Sequence, residues 1–107
     1  FKNKEHLKPL FEKLKDKIEE FAGSNYELRI TKDYIGFARY NRLFCLIFVQ
    51  KQGLKVALPL KGEIDSNRFG GWPADEKWGY LKISREDEID EVLLKWIKLA
   101  YEKVREG

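Results

Sequence analysis

At 107 residues, with 43% hydrophobic and 14% aromatic content, the chain is long enough for one packed domain and too apolar for disorder. No apolar run approaches the roughly 20 residues that span a bilayer. A single Cys excludes a disulfide scaffold and favours a reducing, cytoplasmic setting. The chain opens on Phe1 and contains no Met, so residues 1–107 read as one domain cut from something longer. The 36% charged content is rich in Lys and Glu, a composition that hints at a thermophile. Net charge is +3 and uneven. From Leu28 to Lys61, seven basic residues face Asp33 as the only acid, while the stretch from Gly62 onward is net acidic.

In chain order, Leu7, Leu10, Phe11, Leu14, Ile18 and Phe21 recur at helical spacing. With Pro9 in the first turn and Gly23 as a stop, they predict a helix over 6–22. Four strand-like runs follow, Tyr26–Thr31 and three within YIGFARYNRLFCLIFVQKQGLKVALPL at 34–60. With Lys51-Gln52 as the centre of one hairpin, Val49 faces Leu54 and Ile47 faces Val56. With Asn41-Arg42 as the next turn and Thr31-Lys32-Asp33 as the one before, Tyr34, Gly36, Ala38 and Tyr40 join Tyr26, Leu28 and Ile30 on that same face. This side is predicted to be the core, beneath the helices. The opposite side then carries Arg29, Thr31, Ile35, Phe37, Arg39, Phe44, Leu46, Phe48, Lys55 and Ala57.

Residues 62–77 form a long irregular segment with two large aromatics, Phe69 and Trp72. Segments of this length in small domains are usually functional or mobile. Residues 78–83 read as a last strand. Ser84-Arg85-Glu86-Asp87 resembles a capping box, and Ile89, Val92, Leu93, Trp96, Ile97, Ala100, Tyr101 and Val104 form one apolar stripe. They predict a closing helix over 85–105. The fold expected is an α+β two-layer sandwich: an antiparallel meander of four to five strands with N- and C-terminal helices on one face.

Catalytic chemistry has little to stand on. His6 is the only histidine and Cys45 the only cysteine, and Cys45 sits inside an apolar strand. No thiol–imidazole zinc site, nucleophile–base pair or phosphate loop can be assembled from these residues. Glu63 with Asp65, and Asp75 with Glu76, read as solvated loop charge. No catalytic residue, cofactor or metal is therefore predicted. The binding surface expected is Arg29, Phe37, Arg39, Arg42, Phe44, Phe48, Lys55, Phe69 and Trp72. Phenylalanines on an open sheet flanked by Arg and Lys are a way to stack nucleobases. The same rings would serve a protein partner or a homodimer, or be covered by the Phe69–Trp72 loop.

The block at 34–60, the element WGYLKIS at 78–84 and the ending IDEVLLKWIKLAYEKV at 89–104 resemble an uncharacterised domain family labelled "predicted transport protein". That resemblance implies an accessory module attached to nucleases and restriction-type defence proteins, with no catalytic residues to carry over. The helix–sheet–helix order is also similar to frataxin-like and MmcQ/YjbR-like folds. The first helix lacks the dense acidic ridge of an iron-handling frataxin. The function expected is a non-catalytic accessory module that engages nucleic acid, or alternatively a protein-interaction or dimerisation module, with no membrane association.

Overall fold

The computed structural model describes residues 4–71 and 77–104. Trp72, Asp75 and Glu76, which figure in the sequence reading, and the last residue of the predicted closing helix, Arg105, lie outside the described residues. A single 3-10 turn, Glu5–Leu7, leads into helix α1, Lys8–Ala22. Strands β1 (Glu27–Ile30), β2 (Ile35–Arg39), β3 (Arg42–Val49), β4 (Leu54–Leu58), β5 (Gly70–Gly71) and β6 (Gly79–Ile83) follow. A second 3-10 turn, Glu86–Glu88, precedes helix α2, Glu91–Lys103. The sheet runs in the order β1-β2-β3-β4-β6-β5, antiparallel throughout. It is a meander up to β4, with the two-residue β5 outside β6. The two helices touch each other, and α2 crosses β3 and β4. The two-layer α+β architecture is the one the sequence predicts.

The helical stripes bury as expected. Leu10, Phe11, Leu14 and Ile18 of α1 meet Leu93, Ile97, Ala100 and Tyr101 of α2 in one core cluster. Each large apolar side chain buried this way contributes about 1.5–3 kcal/mol. Val92, expected in the stripe, is instead 50% exposed. The closing helix also starts later than predicted. The Glu88 carboxylate accepts the Ser84 and Arg85 backbone N–H groups at 2.8 and 3.0 Å and closes the 3-10 turn. The chain then breaks at Ile89, and Asp90 caps α2 by accepting the Leu93 N–H at 2.9 Å. A cap ends the stretch of orphan N–H groups at a helix start, so α2 begins where a second Asp can supply one.

The β3–β4 hairpin has the register read from the sequence, with Val49 opposite Leu54 and Ile47 opposite Val56. The β2–β3 hairpin does not. Its turn is Tyr40-Asn41, both with positive φ (51° and 65°), and Arg39 pairs with Arg42. Two positive φ values make the tight hairpin turn whose twist matches its strands. Moving the turn by one residue from Asn41-Arg42 displaces each pairing by two positions and so leaves the faces unchanged; the one-residue shift that turns β2 over is the bulge between Phe37 and Ala38. On the other side, β1 meets β2 with Ile30 opposite Ile35, one residue beyond the predicted pairing. The two one-residue shifts cancel for β1, which keeps its predicted face, while β2 and the Arg42-Leu43 start of β3 are inverted.

Phe37 faces Cys45 and Ala38 faces Leu43, which leaves Phe44 as the extra residue of the bulge. Phe44 therefore turns to the same side as Cys45, against the simple alternation. Phe37 and Phe44, expected on the open face, are both fully buried under the helices. Phe37 lies 6.2 Å from Phe11 and 5.6 Å from Tyr26, and Phe44 meets the Tyr101 ring edge-on at 5.2 Å. Ile35 also moves to the helix side, packed against the core. At the start of β1, the Tyr26 hydroxyl donates to Glu19 at 2.7 Å. Burial and that neighbouring carboxylate push its pKa up to about 12.

Candidate binding face

With β2 inverted, the side of the sheet away from the helices has a different membership. Cross-strand partners share a face. One row across the sheet is Arg29, Gly36, Leu46, Ala57 and Tyr80. The next row contains Phe48, Lys55 and Lys82. Tyr34 joins it, its ring 5.9 Å from that of Phe48. Gly36 marks the middle of this face. A Cβ there would come within 2.7 Å of Leu43 and 3.3 Å of Tyr34, so the larger side chains close over the glycine. Ala38 and Ala57 are likewise buried between half-exposed neighbours.

The face has two halves. One is apolar and small: Gly36, Ala38, Ala57, Leu43 and Leu46. The other is aromatic and basic: Tyr34, Phe48 and Tyr80 beside Lys55 and Lys82. The Lys55 ammonium sits 4.3 Å from the centre of the Tyr80 ring, close enough for a cation–π contact. Glu27 is the acid of the outer row, and it lies 3.6 Å from Arg29. Arg29 also donates to Asn41 at the tip of the β2–β3 hairpin.

Of the residues singled out from sequence, Arg29, Phe48 and Lys55 lie on this face. The others do not. Phe37 and Phe44 are core. Arg39 reaches the helix side, where it donates to the Tyr101 carbonyl at 3.0 Å. Its guanidinium lies 4.1 Å from the Tyr101 ring centre and 4.9 Å from that of Tyr40. Its charge thus serves the negative end of α2. Arg42, opposite Arg39, lines a small cavity of about 310 Å3 with Lys61, Lys103 and the last turn of α2. Phe69 packs on the helix side too, edge-on to Trp96 at 6.0 Å. Gly79 makes room for it, since a Cβ there would collide with the Phe69 ring. Arg68 secures the loop by donating to both Asp90 carboxylate oxygens at 3.0 Å and to the Glu88 carbonyl at 2.5 Å. The described part of the 62–77 segment therefore runs beside α2 and along the β6 edge, not across the open side of the sheet.

Tyr34, Tyr80 and Lys82 were missed. Alternation without the bulge puts Tyr34 on the helix side with the rest of β2. Tyr80 and Lys82 alternate with Leu81 and Ile83 in a strand whose neighbour, β4, is reached only through a long connection. No turn sets their register from the sequence.

Cys45, Asp90 and Glu88 have structural work. Burial alone pushes the Cys45 thiol far above its ordinary value, which leaves it a small hydrophobe. Burial works to raise the Asp90 pKa, but the bonds from Leu93 and Arg68 outweigh it and hold the carboxyl below its usual range. For Glu88, the Ser84 N–H bond is the main reason for a lowered value. Among the described residues, no group of three or more His, Cys, Asp or Glu could hold a metal ion. No helix among them is long and apolar enough to cross a membrane.

The family model described as "Domain of unknown function (DUF5655)" matches residues 1–104. The chain belongs to this family. No curated protein and no solved structure matches it. In this DUF5655 domain, aromatic rings and ammonium groups share one half of the open sheet face.

Proposed function

We propose that this DUF5655 domain is a non-catalytic binding module whose open sheet face engages single-stranded nucleic acid. It would serve as the accessory part of a nuclease or defence protein in the cytoplasm. One observation carries the reading: Tyr34, Phe48, Tyr80, Lys55 and Lys82 occupy one half of one face. Aromatic rings offer stacking surfaces that suit any base, and ammonium groups beside them track the phosphates. The structural roles of Cys45, Glu88 and Asp90 favour binding over catalysis.

A salt titration against a labelled single-stranded oligonucleotide tests this. Binding should weaken linearly in log–log form, with the slope reduced by about 1 for Lys55→Ala and for Lys82→Ala. Phe48→Ala should weaken binding through lost stacking, by about 1–3 kcal/mol, and leave the slope unchanged. Lys98→Ala, on α2, is the control. Affinity that ignores salt, or that falls equally with Lys98→Ala, rejects the proposal. The apolar half of the face, with Leu43 and Leu46 over Ala38 and Ala57, favours a second reading as a protein interface. That reading expects salt-insensitive association lost on Leu46→Asp.

A further inference from the structure

The sheet ends at β1, and its outer edge is bonded to no strand among the described residues. Natural sheets usually guard such an edge. Here the guard is partial. Glu27 and Arg29 put charge on the open face, but on the helix side Leu28 is 37% and Ile30 74% exposed. These two face a cleft of about 800 Å3 between β1 and α1, which Ile35, Val49, Lys8 and Lys15 also line. The edge thus offers backbone groups and apolar side chains together.

The backbone specifies which residues can pair outward. The Thr31 N–H donates to the Tyr34 carbonyl at 2.9 Å, in step with a register that sets Arg29 against Gly36 and Glu27 against Ala38. In an antiparallel pair, alternate residues point both backbone groups at the partner. Residues 27, 29 and 31 therefore bond inward to β2. Tyr26, Leu28 and Ile30 aim their N–H and C=O groups outward.

We infer that β1 is the contact strand of a symmetric dimer, pairing antiparallel with β1 of a second copy about a two-fold axis at Leu28. A two-fold contact needs a self-complementary patch, and β1 is one. With Leu28 opposite its own equivalent, Tyr26 falls opposite Ile30, and Glu27 falls opposite Arg29. The outward backbone groups of 26, 28 and 30 then meet as hydrogen-bonded pairs. The charged residues occupy the positions between, where opposed side chains lie closest. Tyr26, Leu28 and Ile30 of both copies gather on the helix side and close the open flank of each cleft. Moving the axis by one residue, to Arg29, would still pair Leu28 with Ile30, but it places Arg29 against itself, two like charges at the closest side-chain positions.

Sedimentation of the chain from micromolar to millimolar concentration is the test, with circular dichroism to check folding. The expected result is a monomer–dimer equilibrium. Leu28→Pro removes an outward N–H without touching the β1–β2 ladder, and should abolish the dimer while leaving the monomer folded. Arg29→Glu opposes two pairs of carboxylates and should weaken association about tenfold. The double variant Glu27→Arg/Arg29→Glu should restore it. The charge series stands even where Leu28→Pro fails to fold. A chain that stays monomeric at millimolar concentration, or a dimer that the charge reversal leaves unchanged, overturns the inference.

Discussion

The two hairpins that share β3 are built on different rules. In β3–β4 the alternation is regular: Cys45, Ile47 and Val49 go under the helices together with Leu54, Val56 and Leu58, and the residues between face outward. In β2–β3 a turn with two positive-φ residues and a bulge at Phe44 break the pattern. The first hairpin extends the sheet. The second places aromatic bulk: Phe37 and Phe44 fill the space between Phe11 of α1 and Tyr101 of α2. An irregular hairpin is the means by which a flat ladder delivers two adjacent rings to the same side.

That difference can be broken most directly at the bulge. Phe44→Ala should destabilise the domain by about 3–5 kcal/mol, because it opens a cavity beneath both helices. Phe48→Ala, four residues along the same strand but on the half-exposed face, should cost clearly less. Urea unfolding of the two variants checks this, and equal losses would mean that Phe44 does not occupy the core. The turn is the next lever. Asn41→Val puts a β-branched residue at a φ of 65° and should cost about 1–2 kcal/mol. Gln52→Val, in the turn of the regular hairpin, should stay within about 0.5 kcal/mol by the same measurement.

Away from the hairpins, Asp90→Ala removes the α2 cap and should cost about 1 kcal/mol. The pH dependence has a fixed sign. Asp90 and Glu88 both have folded pKa values below their ordinary ones, 3.8 and 4.5. Their stabilisation is complete above those ordinary values and is lost as pH falls through the lower, folded ones. Thermal melts between neutral pH and strong acid should therefore decline in that acidic window, and less steeply for Asp90→Ala. The smallest effect belongs to Lys82→Ala. On the outward side of β6 it should shift unfolding by no more than about 0.5 kcal/mol, while lowering affinity for a single-stranded oligonucleotide. A large loss of stability there would show that the row of Lys55 and Lys82 is structural.

Much of the fold is legible in the chain. The helical stripes of α1 and α2 repeat at a period that no strand can use, so their existence and their buried sides follow from spacing. The helix start at Asp90 is less legible. Five acids stand from Glu86 to Glu91; Glu88 closes the 3-10 turn and Asp90 caps the helix. The candidate face was legible only in part. Arg29, Phe48 and Lys55 follow from the β1 and β3–β4 alternation. Tyr80 and Lys82 depend on a pairing made across a long connection.

What the sequence by itself determined is the two-layer α+β plan, the regular β3–β4 register and an inward side of Ile47, Val56 and their neighbours. Period and burial leave those no alternative. Only the tertiary structure decided which way β2 faces. Both of its sides are apolar, Ile35 and Phe37 against Gly36 and Ala38, so alternation cannot choose between them. The gap beneath the helices chooses, because it is deep enough to need phenylalanine rings, while the other side lets glycine and alanine lie under Leu43 and Leu46.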